Sequence, residues 1–370
     1  MKSGFDPPPY PYERLDQLKD KAAAHDGGLV DLSIGTPCDP PPPAVVAALG
    51  SSDAERGYPP SIGTPAFRQA ASEWMARRLG VDVPPEGIAA CVGTKEFVAT
   101  APQWLKLRSP DRSSVLYPAI SYPTYEMGAT LAGAQPVPVR VDDQWRLDMG
   151  SIDPSDSGDA LALWVNTPGN PAGGLDDLRT VAAWGRAHGV PVLSDECYVE
   201  FTWDGPPRSI LQSGLDGVVA VHSLSKRSNL AGLRVGFYAG DPDLVRYLSE
   251  VRKHVGMLVP GPVQAAAVVA LGDDDHVAEQ RARYRARLEL FRTVLAAVGI
   301  DAPMPGGGFY LWGRAPDGDA WGAAERLAAD GGVLVSPGDL YGAAGAGWIR
   351  AAVVQPIERL HLVAQRLGVS

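Results

Sequence analysis

The stretch Val218-Val219-Ala220-Val221-His222-Ser223-Leu224-Ser225-Lys226, with Arg234 eight residues beyond the lysine, decides the architecture. Val218–Val221 is a short apolar, β-branched run that ends at polar turn residues, the pattern of a buried strand. A hydroxyl-rich turn carrying a lysine follows it directly. Further runs of the same character lie at Ile88–Val92, Ser114–Tyr117, Leu161–Val165, Val190–Leu193 and Val235–Ala239. Stretches of helical period separate several of them, as at Leu178–His188. Thr64-Pro65 supplies a helix cap and a first-turn proline, after which Phe67, Ala70, Ala71, Trp74 and Met75 share one face. Short strands alternating with helices predict an α/β fold: a mostly parallel sheet covered on both faces.

Beyond about Gly261 the pattern changes. Gln264–Leu295 predicts one long helix. Strand-like Phe309–Trp312, a helix at Ala320–Ala329, strands at Val333–Val335 and Trp348–Val353, and a closing helix at Glu358–Leu367 follow. This is the outline of a smaller α+β unit. Two proline clusters, Pro7–Pro9 and Pro40–Pro43, mark the N-terminal segment as extended connector. The expected organisation is a large domain over 46–260 and a small domain made of 1–45 with 261–370.

The chain has 370 residues, 45% of them hydrophobic and 21% charged, which suits globular cores. Its formal net charge of −10 leaves no cationic excess for nucleic acid or an anionic membrane. Cys38, Cys91 and Cys197 are an odd number at long spacings, indicating neither a disulfide framework nor a zinc site. No apolar run is long enough to span a bilayer, and Met1–Tyr12 has no apolar core of a signal peptide. A reducing cytoplasm is the expectation.

The predicted strands end in chemistry-bearing turns, where ligands bind in open α/β sheets. Lys226, at a buried strand end, suits an amine that must lose its proton to attack an aldehyde, although Lys226-Arg227 also fits an exposed basic loop. Ser223, Ser225 and Arg234 around it suit a phosphate. Asn166-Thr167-Pro168-Gly169-Asn170-Pro171 offers an amide donor, or simply a turn. Asp195 in Ser194-Asp195-Glu196-Cys197-Tyr198 could pair with a buried cation or cap the next element. Gly93-Thr94-Lys95-Glu96 opens a helix and could cradle an anion. Tyr122, in Tyr117-Pro118-Ala119-Ile120-Ser121-Tyr122-Pro123, could stack on a flat ring or sit in a core. Asp273-Asp274-Asp275-His276 fits a helix cap better than a metal site, and no metal is expected.

Taken in order, these motifs resemble the class I/II aminotransferases, fold-type I enzymes that use pyridoxal phosphate (PLP), from about Asp31 to the C-terminus. The resemblance implies a seven-stranded, mostly parallel sheet in an α/β/α large domain. It implies that Lys226 carries PLP as a Schiff base and shuttles the proton, that Asp195 holds the pyridinium, and that Asn170 and Tyr198 contact the cofactor O3′. Tyr122 would stack on the ring, and Gly93, Thr94, Lys95, Ser223, Ser225 and Arg234 would surround the phosphate. Tyr58 matches the tyrosine that reaches a neighbouring subunit's phosphate, implying a homodimer with shared sites. Arg350 matches the arginine that grips the substrate α-carboxylate, and Gly35 the loop glycine that closes over substrate. The usual threonine of the Asn-Pro turn is Ala172 here.

Several stretches are similar to actinobacterial N-succinyldiaminopimelate aminotransferases: Gly93-Thr94-Lys95-Glu96, Ser194-Asp195-Glu196-Cys197-Tyr198, His222-Ser223-Leu224-Ser225-Lys226 and Val251-Arg252-Lys253-His254-Val255-Gly256-Met257. This implies L-glutamate as amino donor and N-succinyl-2-amino-6-oxopimelate as acceptor, within lysine and diaminopimelate biosynthesis. Lys95 and Arg252-Lys253 become candidates for distal carboxylates, or are surface charges. A PLP-dependent C–S lyase or another amino-acid aminotransferase shares nearly all these residues. A catalytically silent binding protein would not need Lys226, Asp195 and Arg350 together. A nicotinamide enzyme is disfavoured because no GxGxxG follows the early strands, and Gly306-Gly307-Gly308 precedes a strand.

Overall fold

A computed structural model describes residues 4–50 and 53–369; residues 1–3, 51–52 and 370 of the expected domain spans lie outside it. Its strands are β1 Val30–Asp31, β2 Ile88–Cys91, β3 Ser114–Pro118, β4 Gln135–Val139, β5 Ala160–Asn166, β6 Val192–Asp195, β7 Val218–Ser223 and β8 Gly236–Gly240. Later in the chain come β9 Tyr310–Arg314, β10 Val333–Leu334, β11 Ser336–Pro337 and β12 Trp348–Ala352.

Seven strands form the central sheet in the order β2-β8-β7-β6-β5-β3-β4. The pairs β3–β4, β3–β5, β5–β6 and β6–β7 are parallel, whereas β8 runs antiparallel to both β7 and β2. The mostly parallel seven-stranded sheet expected from the resemblance is present. Every residue of β5 and β7 is buried, as continuous apolar runs predict for strands covered on both faces. A strand that sequence pattern did not suggest, β4, holds Pro136 and Pro138. Proline removes a ladder donor, which confines such a strand to an edge, and β4 pairs with β3 alone.

The helices follow their signals. Thr64 accepts from the Phe67 amide at 3.2 Å, Pro65 opens Pro65–Leu79, and Gly80 ends it in the left-handed region. Leu178–His188 is capped by Asp177 and closed by Gly189. The single helix expected over Gln264–Leu295 is instead two, Gly261–Gly272 and Asp275–Ala297. The break has a local cause: the Asp273 carboxylate accepts from the amides of Asp275 and His276 at 3.0 and 3.2 Å. A side chain that satisfies the orphan donors of a new helix start outcompetes continuation after a glycine.

Beside the main sheet, β11-β12-β9 form an antiparallel sheet, and β1 pairs in parallel with β10. One apolar cluster draws on Leu15, Leu18 and Val30 from the N-terminal segment and on Phe291, Leu311, Leu327 and Ile349 from the C-terminal third. Two other clusters line the faces of the seven-stranded sheet. Among the described residues no helix is long and apolar enough to cross a membrane.

Candidate active site

The carboxyl ends of β5, β6 and β7 open into a cavity of about 580 Å³. Their registers fix what faces it. Asn166 ends β5 opposite Asp195, which ends β6 opposite Val221, and Ser223 ends β7. The Ser223 side chain accepts from the Ser225 amide at 3.1 Å and starts the one-turn helix Leu224–Arg227 that carries Lys226. The lysine Nζ donates to the Gly35 carbonyl of the N-terminal segment. Burial pushes its ammonium down to about 8, and Arg350 and Arg234 push in the same direction.

Asp195 is buried with its carboxylate held at both oxygens. Tyr125 Oη donates to Oδ2 at 2.9 Å, and the Cys197 amide donates to Oδ1 at 3.2 Å. Desolvation raises its pKa, so a cation placed against it would relieve an unfavourable buried charge. Asn166 Nδ2 donates to the Asp195 carbonyl at 2.9 Å, and its Oδ1 accepts from the Asn170 amide at 2.8 Å. That arrangement ties the Asn-Pro turn to the strand beside it. Asn170 Oδ1 accepts from Arg350 Nη1 at 2.9 Å.

Arg350 sits on β12, buried, with Nη2 donating to the Ser33 carbonyl. Its guanidinium lies 4.4 Å from the Tyr310 ring centroid and 4.7 Å from that of Tyr341. Two aromatic faces hold the fork in one plane. Tyr198 Oη meets Tyr310 Oη at 2.7 Å.

Around Arg234 the walls are basic and hydroxylic: Thr94, Ser223 and Ser225 line the same cavity. Gly93, just before the helix Thr94–Arg108, has φ +75 and ψ 153, a conformation open to glycine. A Cβ there would lie 2.8 Å from Arg234 Cζ. Gly35 is constrained likewise, its Cβ position lying 2.9 Å from Tyr310 Cζ.

The structure thus gathers Gly35, Thr94, Lys95, Tyr122, Asn170, Asp195, Tyr198, Ser223, Ser225, Lys226, Arg234 and Arg350 about one cavity, with Gly93 against Arg234. Tyr58 is not among the lining residues; it is 98% exposed. Arg252, a candidate for distal carboxylates, faces elsewhere. It is buried in a bidentate pair with Glu96 at 2.6 and 2.7 Å, so its charge is already matched. Lys253 is exposed beside Glu250. Tyr10, Tyr12, Tyr125, Cys197 and Tyr310 also line the cavity, and none of them is expected there from the sequence. Tyr125 follows Tyr122 by three residues, a helical spacing that could have flagged it. Tyr10 and Tyr12 come from the proline-rich segment, where no local pattern points to a site.

The family described as Aminotransferase class I and II matches residues 28–367. The chain is 43% identical to the 4-dedimethylamino-4-oxo-anhydrotetracycline transaminase OxyQ of Streptomyces rimosus, over 97% of this chain and 99% of that one. It is 32% identical to the LL-diaminopimelate aminotransferase of Aquifex aeolicus, over 97% and 96%. Among solved structures, a probable N-succinyldiaminopimelate aminotransferase from Thermus thermophilus superposes with a TM-score of 0.87 at 30% identity, covering 96% of this chain and 99% of that one. PLP is the cofactor of this family, and the cavity fits it. A lysine with a lowered pKa, a buried carboxylate awaiting a cation, and an arginine among hydroxyls with a glycine cut away beside it lie together. Matched along nearly its whole length, the chain belongs to the class I and II aminotransferases, fold-type I enzymes that depend on PLP.

Proposed function

We propose that this aminotransferase moves the amino group between L-glutamate and a long anionic oxo acid, N-succinyl-2-amino-6-oxopimelate. It would thereby act as the N-succinyl-LL-2,6-diaminopimelate:2-oxoglutarate aminotransferase of lysine and diaminopimelate synthesis. One observation carries this reading: two cations stand at the ends of a row of tyrosines. Lys95 Nζ lies 4.6 Å from the Tyr10 ring and donates to its hydroxyl at 3.1 Å. Tyr10 neighbours Tyr12, Tyr12 Oη meets Tyr341 Oη at 2.9 Å, and Tyr341 faces Arg350. An amino acid with a distal carboxylate would suit such a pair of cations, its α-carboxylate on Arg350 and its far end on Lys95.

When bound, PLP supplies an electron sink for the charge that develops at Cα. Asp195 keeps the ring nitrogen protonated, braced by Tyr125 and the Cys197 amide. Asn170 and Tyr198 would donate to O3′, and Tyr122 would cover the ring. Thr94 and Lys95 through their amides, with Ser223, Ser225 and Arg234, hold the phosphate. Lys226 would anchor the cofactor and, as a free amine, would take the proton from the substrate Cα and give it back, as base and then acid. Arg350 fixes the carboxylate and so the direction of the Cα–H bond, which is positioning. Gly35 lets the N-terminal loop pass over Tyr310 and the lysine. Tyr58, exposed, reaches the phosphate of a second copy in a homodimer, and the enzyme works in the cytoplasm. The domains divide at 46–260 against 1–45 with 261–370.

A second acceptor class has its own support: the 43% identical OxyQ is named for a ring-bearing ketone, and tyrosine walls suit a flat face. The two readings separate in one assay. L-Glutamate added to the loaded enzyme should abolish its visible absorbance, and the succinylated oxo acid should restore it. A polycyclic ketone that restores it instead overturns the acceptor assigned here. Failure of glutamate to bleach it overturns the donor. Release of pyruvate and ammonia from cystathionine would identify a C–S lyase.

A further inference from the structure

Immediately behind the cavity, two residues that line none of it face each other. Glu196 follows Asp195 at the end of β6, and His222 precedes Ser223 at the end of β7. Both are buried, with Oε2 and Nε2 3.5 Å apart. Glu196 Oε1 is fully engaged, accepting from Ser194 Oγ and the Ile210 amide at 2.8 Å each. Oε2 and both imidazole nitrogens have no other hydrogen-bond partner among the described residues. The imidazole is clamped between aromatic rings, its centroid 5.0 Å from Trp74 and 5.0 Å from Phe237.

The charges nearby decide what this pair holds. Glu200 is matched by Arg78 at 3.0 Å and Arg227 at 3.4 Å, and it accepts from Trp74 Nε1. Asp195 is the negative charge next to Glu196 and disfavours a second one. Burial, the largest cause, raises Glu196 to about 7, and burial lowers His222 to about 3. Both shifts run against a charged imidazolium–carboxylate pair and favour the proton on the carboxyl. A neutral acid donating to a neutral imidazole satisfies Oε2 and Nε2 without a buried charge.

We propose that Glu196, as the neutral acid hydrogen-bonded to His222, is a positioning residue for the cofactor site. It joins the strand ends that carry Asp195 and Ser223 and keeps a second negative charge from forming behind Asp195. This rests on the reading of Asp195 and Lys226 as cofactor residues. Loss of the proton would place two carboxylates side by side and raise the proton affinity of every group they face, Lys226 included.

Infrared difference spectra of the cofactor-free and loaded enzyme test it directly. A protonated-carboxyl band should fade as pH rises through neutrality, be absent from Glu196→Gln, and shift in His222→Phe. Glutamine is neutral and keeps the Oε1 contacts, so below neutrality the visible absorbance of the loaded enzyme should titrate alike in Glu196→Gln and wild type. A midpoint displaced downward there in Glu196→Gln would show an ionised carboxylate behind Asp195 in the wild type. Absence of the band from wild type, or that displacement, overturns the proposal. If Glu196→Gln does not fold, the wild-type and His222→Phe spectra decide alone. A wild-type enzyme with no titrating visible absorbance would overturn the assignment of Lys226 instead, and the infrared band would still test Glu196.

Discussion

Replacing Gly93 with alanine tests the phosphate end of the site through backbone geometry alone. At φ +75 and ψ 153, an L side chain costs about 1–3 kcal/mol of strain. The new Cβ would stand 2.8 Å from Arg234 Cζ and 3.3 Å from Nη1, so the guanidinium must leave. It has little freedom to adjust, because Arg234 is itself left-handed at φ +54 and donates from Nη1 to the Ala231 carbonyl at 2.8 Å. Losing one charge-assisted hydrogen bond to the phosphate costs about 1.5–3 kcal/mol. At 1.4 kcal/mol per tenfold, PLP affinity should fall by roughly one to two orders of magnitude. Fluorescence titration of cofactor-stripped enzyme with PLP measures this, with urea unfolding to separate the strain. Arg234→Ala should weaken PLP similarly, and the double variant should add little, because both remove the same contact. A Gly93→Ala enzyme that binds PLP within about twofold of wild type would refute the reasoning.

Other expectations follow from neighbouring contacts. Arg350→Lys should reduce kcat/KM for amino acids by about a hundredfold while PLP affinity holds, since a lysine cannot make the fork that Tyr310 and Tyr341 hold flat; an equal loss of PLP affinity would count against a substrate role. Glu96→Gln leaves the Arg252 charge buried, and should destabilise the fold by about 3 kcal/mol in urea with the glutamate KM unmoved; a strongly raised KM would return Arg252 to the substrate site. PLP capture by the cofactor-free enzyme should accelerate about tenfold per pH unit up to about 8 and then level off, because the neutral Lys226 amine reacts. Its lowered pKa also means the native state binds fewer protons than the unfolded one above about 8, so this lysine's burial penalty lessens as pH rises towards the ordinary lysine range. A capture rate flat across neutrality would contradict the depressed amine.

Much of this site was legible because its residues sit where strand periodicity stops. Asn166, Asp195 and Ser223 each end a buried run, and parallel register brings such ends to one edge. Thr64-Pro65 announced its helix through capping chemistry that needs no tertiary context. What escaped depends on distant partners. Arg252 looked like a free cation, yet Glu96, 156 residues away, neutralises it inside the core. Tyr10 and Tyr12 enter the cavity because of how the first segment packs against the C-terminal third, which no local spacing encodes. The prolines of β4 disfavour an interior strand, and only its edge position makes them tolerable. The break at Asp273 turned on which of several acidic residues would cap.

Borohydride reduction of the PLP-loaded enzyme, followed by peptide mapping, tests most directly whether Lys226 carries the cofactor. One pyridoxyl group is expected, on Lys226, and none on Lys95 or Lys253. A reduced enzyme without label, or with its label on another lysine, would contradict that assignment.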